Sequence, residues 1–171
     1  MTLVVEDGTG KADADSYASI ADADAHNAEW VGSSAWSDAD PVAKERALRR
    51  AARFVDSHSF LGARSNRDQA LGWPRYGLGR IDGQHVANDT VPARVKRAAM
   101  EAAIKDAQGE SLLPDHDGGT IQSESSKAGG LSRSQTFARP RQAGKTFEAV
   151  SADLRPYVAP GSSRSISRAL A

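Results

Sequence analysis

Apolar residues return every three to four positions in three stretches of this chain, and each stretch opens on a residue suited to cap a helix. In SIADADAHNAEW, Ile20, Ala23, Asn27, Trp30 and Val31 share one face, while Asp22, Asp24 and Glu29 fall largely off it. Ser19 is placed to cap this helix. Asp22 stands three residues on, where Glu or Gln more often completes the capping box, and Gly32 ends the helix. In SDADPVAKERALRRAARFVDSH, Asp40 is the N-cap and Pro41 takes the first helical position, where its missing N–H costs nothing. Ala47, Leu48, Ala51, Phe54 and Val55 form the apolar stripe. Arg46, Arg49, Arg50 and Arg53 crowd toward the other side, with Glu45 supporting Arg49 one turn on. The third helix, in NDTVPARVKRAAMEAAIKDAQGE, has Asp89 or Thr90 as cap, Pro92 in the first turn and Gly109 as its stop. Its stripe of Val95, Ala98, Ala99, Ala102 and Ala103 lets another helix approach closely.

The linker between the second and third helices contains LGWPRYGLGRIDGQ, residues 71–84. Two alanine-rich helices leave space where they cross, and an indole fills such a gap while burying a large apolar area. Pro74 fixes the chain direction beside it. Trp73 and Pro74 are therefore read as a core plug rather than a ligand contact. After SLLPDHDGG the composition turns to Ser, Gly, Arg and Gln. Alternation around Gly129 and Gly130 gives a hairpin signal, KTFEAVSADLRPYV suits a short helix closed by Pro156, and APGSSRSISRALA has the composition of a disordered tail. The expected fold is mainly α. It is a small bundle of three long helices (residues 1–117), followed by an extended C-terminal arm (residues 118–171) with the hairpin, a short helix and the tail.

Composition sharpens this picture. Apolar residues are 39% of the chain and much of that share is alanine, so the core is thin. The absence of cysteine excludes a disulfide scaffold, a Cys-ligated zinc site and a thiol nucleophile. No segment nears the roughly 20 apolar residues of a membrane span, and MTLVVEDGTG has no basic n-region, so a soluble cytoplasmic product is expected. The net charge of zero conceals an uneven spread. Residues 1–40 hold nine acids against one Lys, 41–119 thirteen bases against ten acids, and 120–171 eight bases against three acids. An acidic head and a basic tail favour head-to-tail contact between copies, or an acidic partner for the tail.

Candidate chemistry is sparse. GTGK at 8–11 has the flavour of a phosphate loop but lacks the Gly-x4-Gly-Lys-Ser/Thr spacing, and Ala12 stands where the hydroxyl belongs. Asp115, His116 and Asp117 have no second cluster of ligands nearby, and His26, His58 and His85 are scattered singly. General acid–base chemistry needs convergent groups, so no enzyme is expected. The Arg46, Arg49, Arg50 and Arg53 face is the one feature suited to a polyanion. It lacks the interleaved aromatics on which single-stranded bases stack, and a face that is solvated or pairs with acids of a neighbouring subunit is the favoured reading.

The order DSYASIADADAHNAEW, AKERALRRAARFVDS, DQALGWPR, VPARVKRAAMEAA and LLPD resembles that of tailed-phage and prophage head–tail connector proteins. These adaptor or head-completion proteins also go under the description of DnaT-like single-stranded-DNA-binding proteins. The similarity covers residues 1–115 and continues more weakly through RPYV at 155–158. The resemblance implies a structural virion protein of the phage neck, made in the bacterial cytoplasm and assembled as a ring, commonly of twelve copies. Its partners would be the portal protein above, a tail or stopper protein below and packaged DNA passing through the lumen, with no membrane and no cofactor. On this reading Phe147, Val150, Leu154, Tyr157 and Val158 anchor the arm on the portal and adjacent subunits, and Arg155, Arg164 and Arg168 pair with acids. The other reading is a replication-type single-stranded-DNA-binding protein, resting on the arginine face and the basic tail.

Overall fold

The computed structural model describes residues 2–113 and 147–159, together with the backbone of 123–128 and 131–136. The Ser19 capping box closes in both directions: Ser19 Oγ accepts from the Asp22 amide at 3.1 Å, and Asp22 Oδ2 accepts from the Ser19 amide at 2.9 Å. Helix α1, Ile20–His26, runs into a single π turn, Asn27–Val31, and stops at Gly32. Asn27 explains the stop. Its buried amide donates to the Ser33 carbonyl at 3.1 Å and accepts from the Ser33 amide at 2.9 Å. That clamp folds the chain back into α2, Ser34–Ser37, a one-turn helix the periodicity does not predict. Trp36 on α2 is fully buried, and its Nε1 donates to Asp24 Oδ1 at 2.8 Å.

Among the described residues two helices are long: α3, Pro41–Asp56, and α4, Ala93–Ala107. The expected trio of long helices is not matched: the first stops at Gly32 as expected, but its α-helical part ends at His26 and the last five residues form the π turn. Asp40 caps α3 as its sequence predicts, accepting from the Ala43 amide at 2.9 Å. On α4 the N-cap is Pro92, without a side-chain bond, rather than Asp89 or Thr90. Leu48, Ala51, Ala52 and Val55 of α3 are buried against Val95, Ala98, Ala99, Ala102 and Ala103 of α4. Small side chains at this crossing bring the two backbones close, so each interior atom has many neighbours within dispersion range.

Short antiparallel pairs make the fold mixed rather than purely helical. Strand β1, Ala63–Arg64, pairs with β2, Arg75–Tyr76, and β3, Arg80–Ile81, pairs with β4, Gln84–His85. The chain divides into two units, residues 1–112 with 147–171 and residues 113–146. In the second unit β5, Ser123–Ala128, pairs with β6, Leu131–Thr136, leaving two residues between the strands where the sequence carries Gly129 and Gly130.

The units differ from the division expected at residue 117. Helix α5, Glu148–Leu154, and the 3-10 turn Arg155–Tyr157 belong to the first unit, where Phe147, Val150, Leu154 and Tyr157 are buried. Leu61 donates its amide to the Tyr157 carbonyl at 2.8 Å, and Ala159 donates to Ser59 at 2.9 Å. The reason is apolar spacing: residues 147, 150, 154 and 157 form one helical stripe, and a stripe left in water forfeits about 1.5–3 kcal/mol per large side chain. These apolar residues, expected on a partner surface, pack instead on the first unit's own core.

A buried polar clamp ties α3 to the linker. Asp56 Oδ1 accepts a short hydrogen bond from the Tyr17 hydroxyl, Asp56 Oδ2 accepts from the Gly72 amide at 2.9 Å, and the Tyr17 oxygen accepts from the Trp73 amide at 3.2 Å. Burial pushes the Asp56 carboxyl above the usual carboxylate range, and burial beside that carboxylate raises Tyr17 as well. Gly72 has no room for a side chain, since a Cβ there would lie 2.6 Å from Asp56 Oδ1.

Leu154→Ala should cost about 2–5 kcal/mol in urea denaturation, and a chain ending at Asp117 should lose the cooperative melt of the parent. Asp56 has a folded-state pKa above its unfolded value, so its contribution is full below about pH 4 and is lost as pH rises through the raised value. The stability difference between parent and Asp56→Asn should therefore fall from pH 4 toward neutrality, measured by denaturation at each pH. A flat difference would mean that the clamp does not titrate as argued.

Candidate nucleic-acid interface

The linker that carries Trp73 also carries a surface. Strand pairing sets Ala63 opposite Tyr76 and Arg64 opposite Arg75, and the next hairpin sets Arg80 opposite His85. The turn of that hairpin is Asp82-Gly83, both at positive φ (52° and 78°), the geometry an Asp-Gly dipeptide favours. This dipeptide between RI and QH was the sequence signal for the hairpin, and the helical reading of the chain passed over it.

Tyr76 is 53% exposed. It walls a groove of about 410 Å³ with Gly77, Leu78 and Gly79 on its own side and His85, Val86, Ala87 and Asn88 completing the lining. Arg75 is committed to the fold: its guanidinium donates to the carbonyls of Leu61 (2.7 Å), Gly62 (2.8 Å) and Gly72 (3.0 Å) and lies over the Phe60 ring. Burial, and then the charge of Arg64, lower its pKa. Arg64, Arg67 and Arg80 are exposed and form no ion pair among the described residues. Like charges directly opposite across a strand pair cost stability, so the Arg64–Arg75 pairing sets two cations side by side next to an exposed aromatic, with the Asp56 carboxyl as an acid that both feel.

The arginine face of α3 divides differently from its sequence expectation. Arg49 donates to Asp15 at 2.6 Å and to Glu45 at 3.2 Å, and Arg50 grips Asp106 of α4 with both Nε and Nη2. These bonds raise the pKa of both arginines. The acids are supplied within the chain, one of them from the acidic head. Arg46 and Arg53 are exposed and without an ion pair among the described residues.

The loop GTGK is closed to phosphate by its own neighbour. The amides of Gly8, Gly10 and Lys11 all donate to the buried Glu6 carboxylate, at 2.8, 2.9 and 2.8 Å. Gly8 is required there: at φ 108° an added Cβ would sit 2.1 Å from the Asp89 carbonyl oxygen. Trp73 is fully buried, edge-to-face with Phe60 (5.5 Å) and Tyr157 (5.3 Å), and Pro74 follows it across a cis peptide in the same buried segment. Val158 pairs with Phe60 as an isolated antiparallel bridge, Arg155 is exposed, and Arg164, Arg168 and residues 115–117 lie outside the described residues. Among the described residues no helix is long and apolar enough to cross a membrane.

A family model with the description "Putative DnaT-like ssDNA binding protein" matches residues 1–170. The chain belongs to this family. No curated relative and no solved structure matches it. The family corrects the head–tail connector reading: its description names single-stranded DNA binding and not a virion part, and the match spans nearly the whole chain. The connector reading also needed residues 147–158 as a free arm for the portal, and Phe147, Val150, Leu154 and Tyr157 of that segment are core.

In this DnaT-like chain, Trp73→Ala should cost roughly 3–5 kcal/mol without touching the groove. The check is a denaturation curve set beside the near-UV signal of the folded state. A variant that melts like the parent would remove Trp73 from the core of the argument.

Proposed function

We propose that this protein binds single-stranded DNA through the hairpin surface of residues 63–88. The observation that carries the reading is Tyr76, an aromatic ring left half in water next to the Arg64–Arg75 pairing and above a groove that ends in Asn88. Every base has a π-face, so an exposed ring accepts single-stranded bases with little regard to sequence, at about 1–3 kcal/mol per stacked base. A phosphate laid against Arg64 relieves the repulsion that its pairing with Arg75 creates, and Arg80, exposed on the next hairpin, offers a further cation. Duplex bases are already stacked on one another, and the ring then has nothing to take. The role is binding, with no catalytic step. The family description supports the same ligand.

Fluorescence anisotropy with labelled oligo(dT) tests the reading across a salt series. Tyr76→Ala should weaken binding by roughly 5- to 100-fold, the equivalent of one lost stacking contact. Arg64→Ala and Arg80→Ala should each flatten the log–log salt slope by about 0.7. Equal affinity for a duplex of the same length, or a Tyr76→Ala variant that binds like the parent, would sink the proposal.

A further inference from the structure

The other exposed aromatic among the described residues of the first unit is Trp30, 76% exposed in the π turn that follows α1. Its apolar spacing places it on the buried face with Ile20, Ala23 and Asn27. The π turn, with its i→i+5 bonding, breaks that register and turns the indole outward. Trp30 forms one wall of a pocket of about 270 Å³, lined otherwise by His26, Arg97, Glu101, Ala149 and Asp153. The polar lining is already held in place. His26 Nε2 lies 2.8 Å from Glu101 Oε1, and Arg97 grips Asp153 of α5 with Nε (2.7 Å) and Nη2. Two of the six lining side chains, Trp30 and Ala149, are apolar, so the pocket offers one flat ring and a fixed rim of donors and acceptors rather than a greasy seat for a partner's side chains.

We infer that this pocket is a second base-binding site for the same single strand, in which Trp30 stacks a nucleobase and the polar rim of Arg97 and Glu101 meets its hydrogen-bonding edge. The inference rests on the single-stranded-DNA reading above. Helix α4 supplies the path between the two sites. Arg94 reaches Asp82 in the β3–β4 turn at 3.8 Å, and Arg97 follows three residues later at the Trp30 pocket. At 1.5 Å rise per residue that step is about 4.5 Å along the helix. Arg94 and Arg97 are each paired with a carboxylate yet nearly half exposed, so a strand that leaves the hairpin groove passes two partly solvated guanidinium groups before it reaches the indole.

The chain carries its own reporter, because Trp36 and Trp73 are fully buried and Trp30 alone among the three tryptophans faces solvent. Acrylamide quenching of the full chain therefore reads Trp30. With oligo(dT) of about 20 nucleotides, longer than one typical single-strand site, binding should shield Trp30 from acrylamide. Trp30→Ala should abolish that signal and weaken binding by about 10-fold, and Trp30→Phe should restore most of the affinity. Thermal melts of both variants should match the parent, since the indole is in water. Unchanged affinity in Trp30→Ala, while Tyr76→Ala binds poorly, would overturn the second site and leave the function standing. DNA binding that leaves acrylamide quenching unaltered would overturn it equally. Thymidine monophosphate that shields Trp30 as well as the oligomer would assign the pocket to free nucleotides and remove it from the strand path. A parent that binds no oligo(dT) at low salt would end both readings.

Discussion

Trp73 stands edge-to-face between Phe60 and Tyr157, and through those two rings the linker, the chain after α3 and the C-terminal segment become one core. The alanine stripes of α3 and α4 bring the helices close but supply little apolar area themselves. A large planar side chain beside the crossing supplies the area they lack. The Tyr17–Asp56 clamp then fixes where the linker enters, by holding the amides of Gly72 and Trp73. The Trp73 Nε1 is buried without a hydrogen-bond partner among the described residues, a cost the fold accepts for the ring contacts on either side.

Charge is sorted by the same architecture. Arginines that face a carboxylate across a helix contact are consumed internally, as Arg49 is by Asp15, Arg50 by Asp106 and Arg97 by Asp153. The cations on the hairpins lie beyond the reach of those acids, and Arg64 is set opposite another arginine instead. A solvated ion pair adds little stability, so the larger consequence is that Arg64 stays exposed and without an ion pair among the described residues, on the strand paired with that of Tyr76.

The two functional readings of the sequence differed chiefly over the C-terminal segment and the missing aromatics. A portal-seeking arm requires residues 147–158 to be free, and their stripe is packed against α4. A single-strand binder requires stacking rings in water. Tyr76 and Trp30 meet that requirement, although neither stands beside the arginines of α3 where the sequence directed attention. The family match agrees with the second reading.

What the sequence determined by itself is local. The Ser19 box, the Asp40-Pro41 start of α3, the stripe of α4 and the short helix before Pro156 follow from periods of three to four residues and from capping chemistry, which act within one turn. The burial of Trp73 was legible as well, since two alanine-rich helices create a gap that only a large residue fills. Other outcomes were decided by contacts between distant parts of the chain. Arg50 meets Asp106 and Arg97 meets Asp153, each across 56 residues, and Phe60 pairs with Val158 across the whole domain. No periodicity records such pairings. Trp30 shows the same division on a single residue: its spacing placed it on the buried face, and one π turn, held by the bond of Asn27 to Ser33, put it in water. Local propensity sets which segments are helical, but which faces are covered depends on what packs against them, and that only the tertiary structure decides.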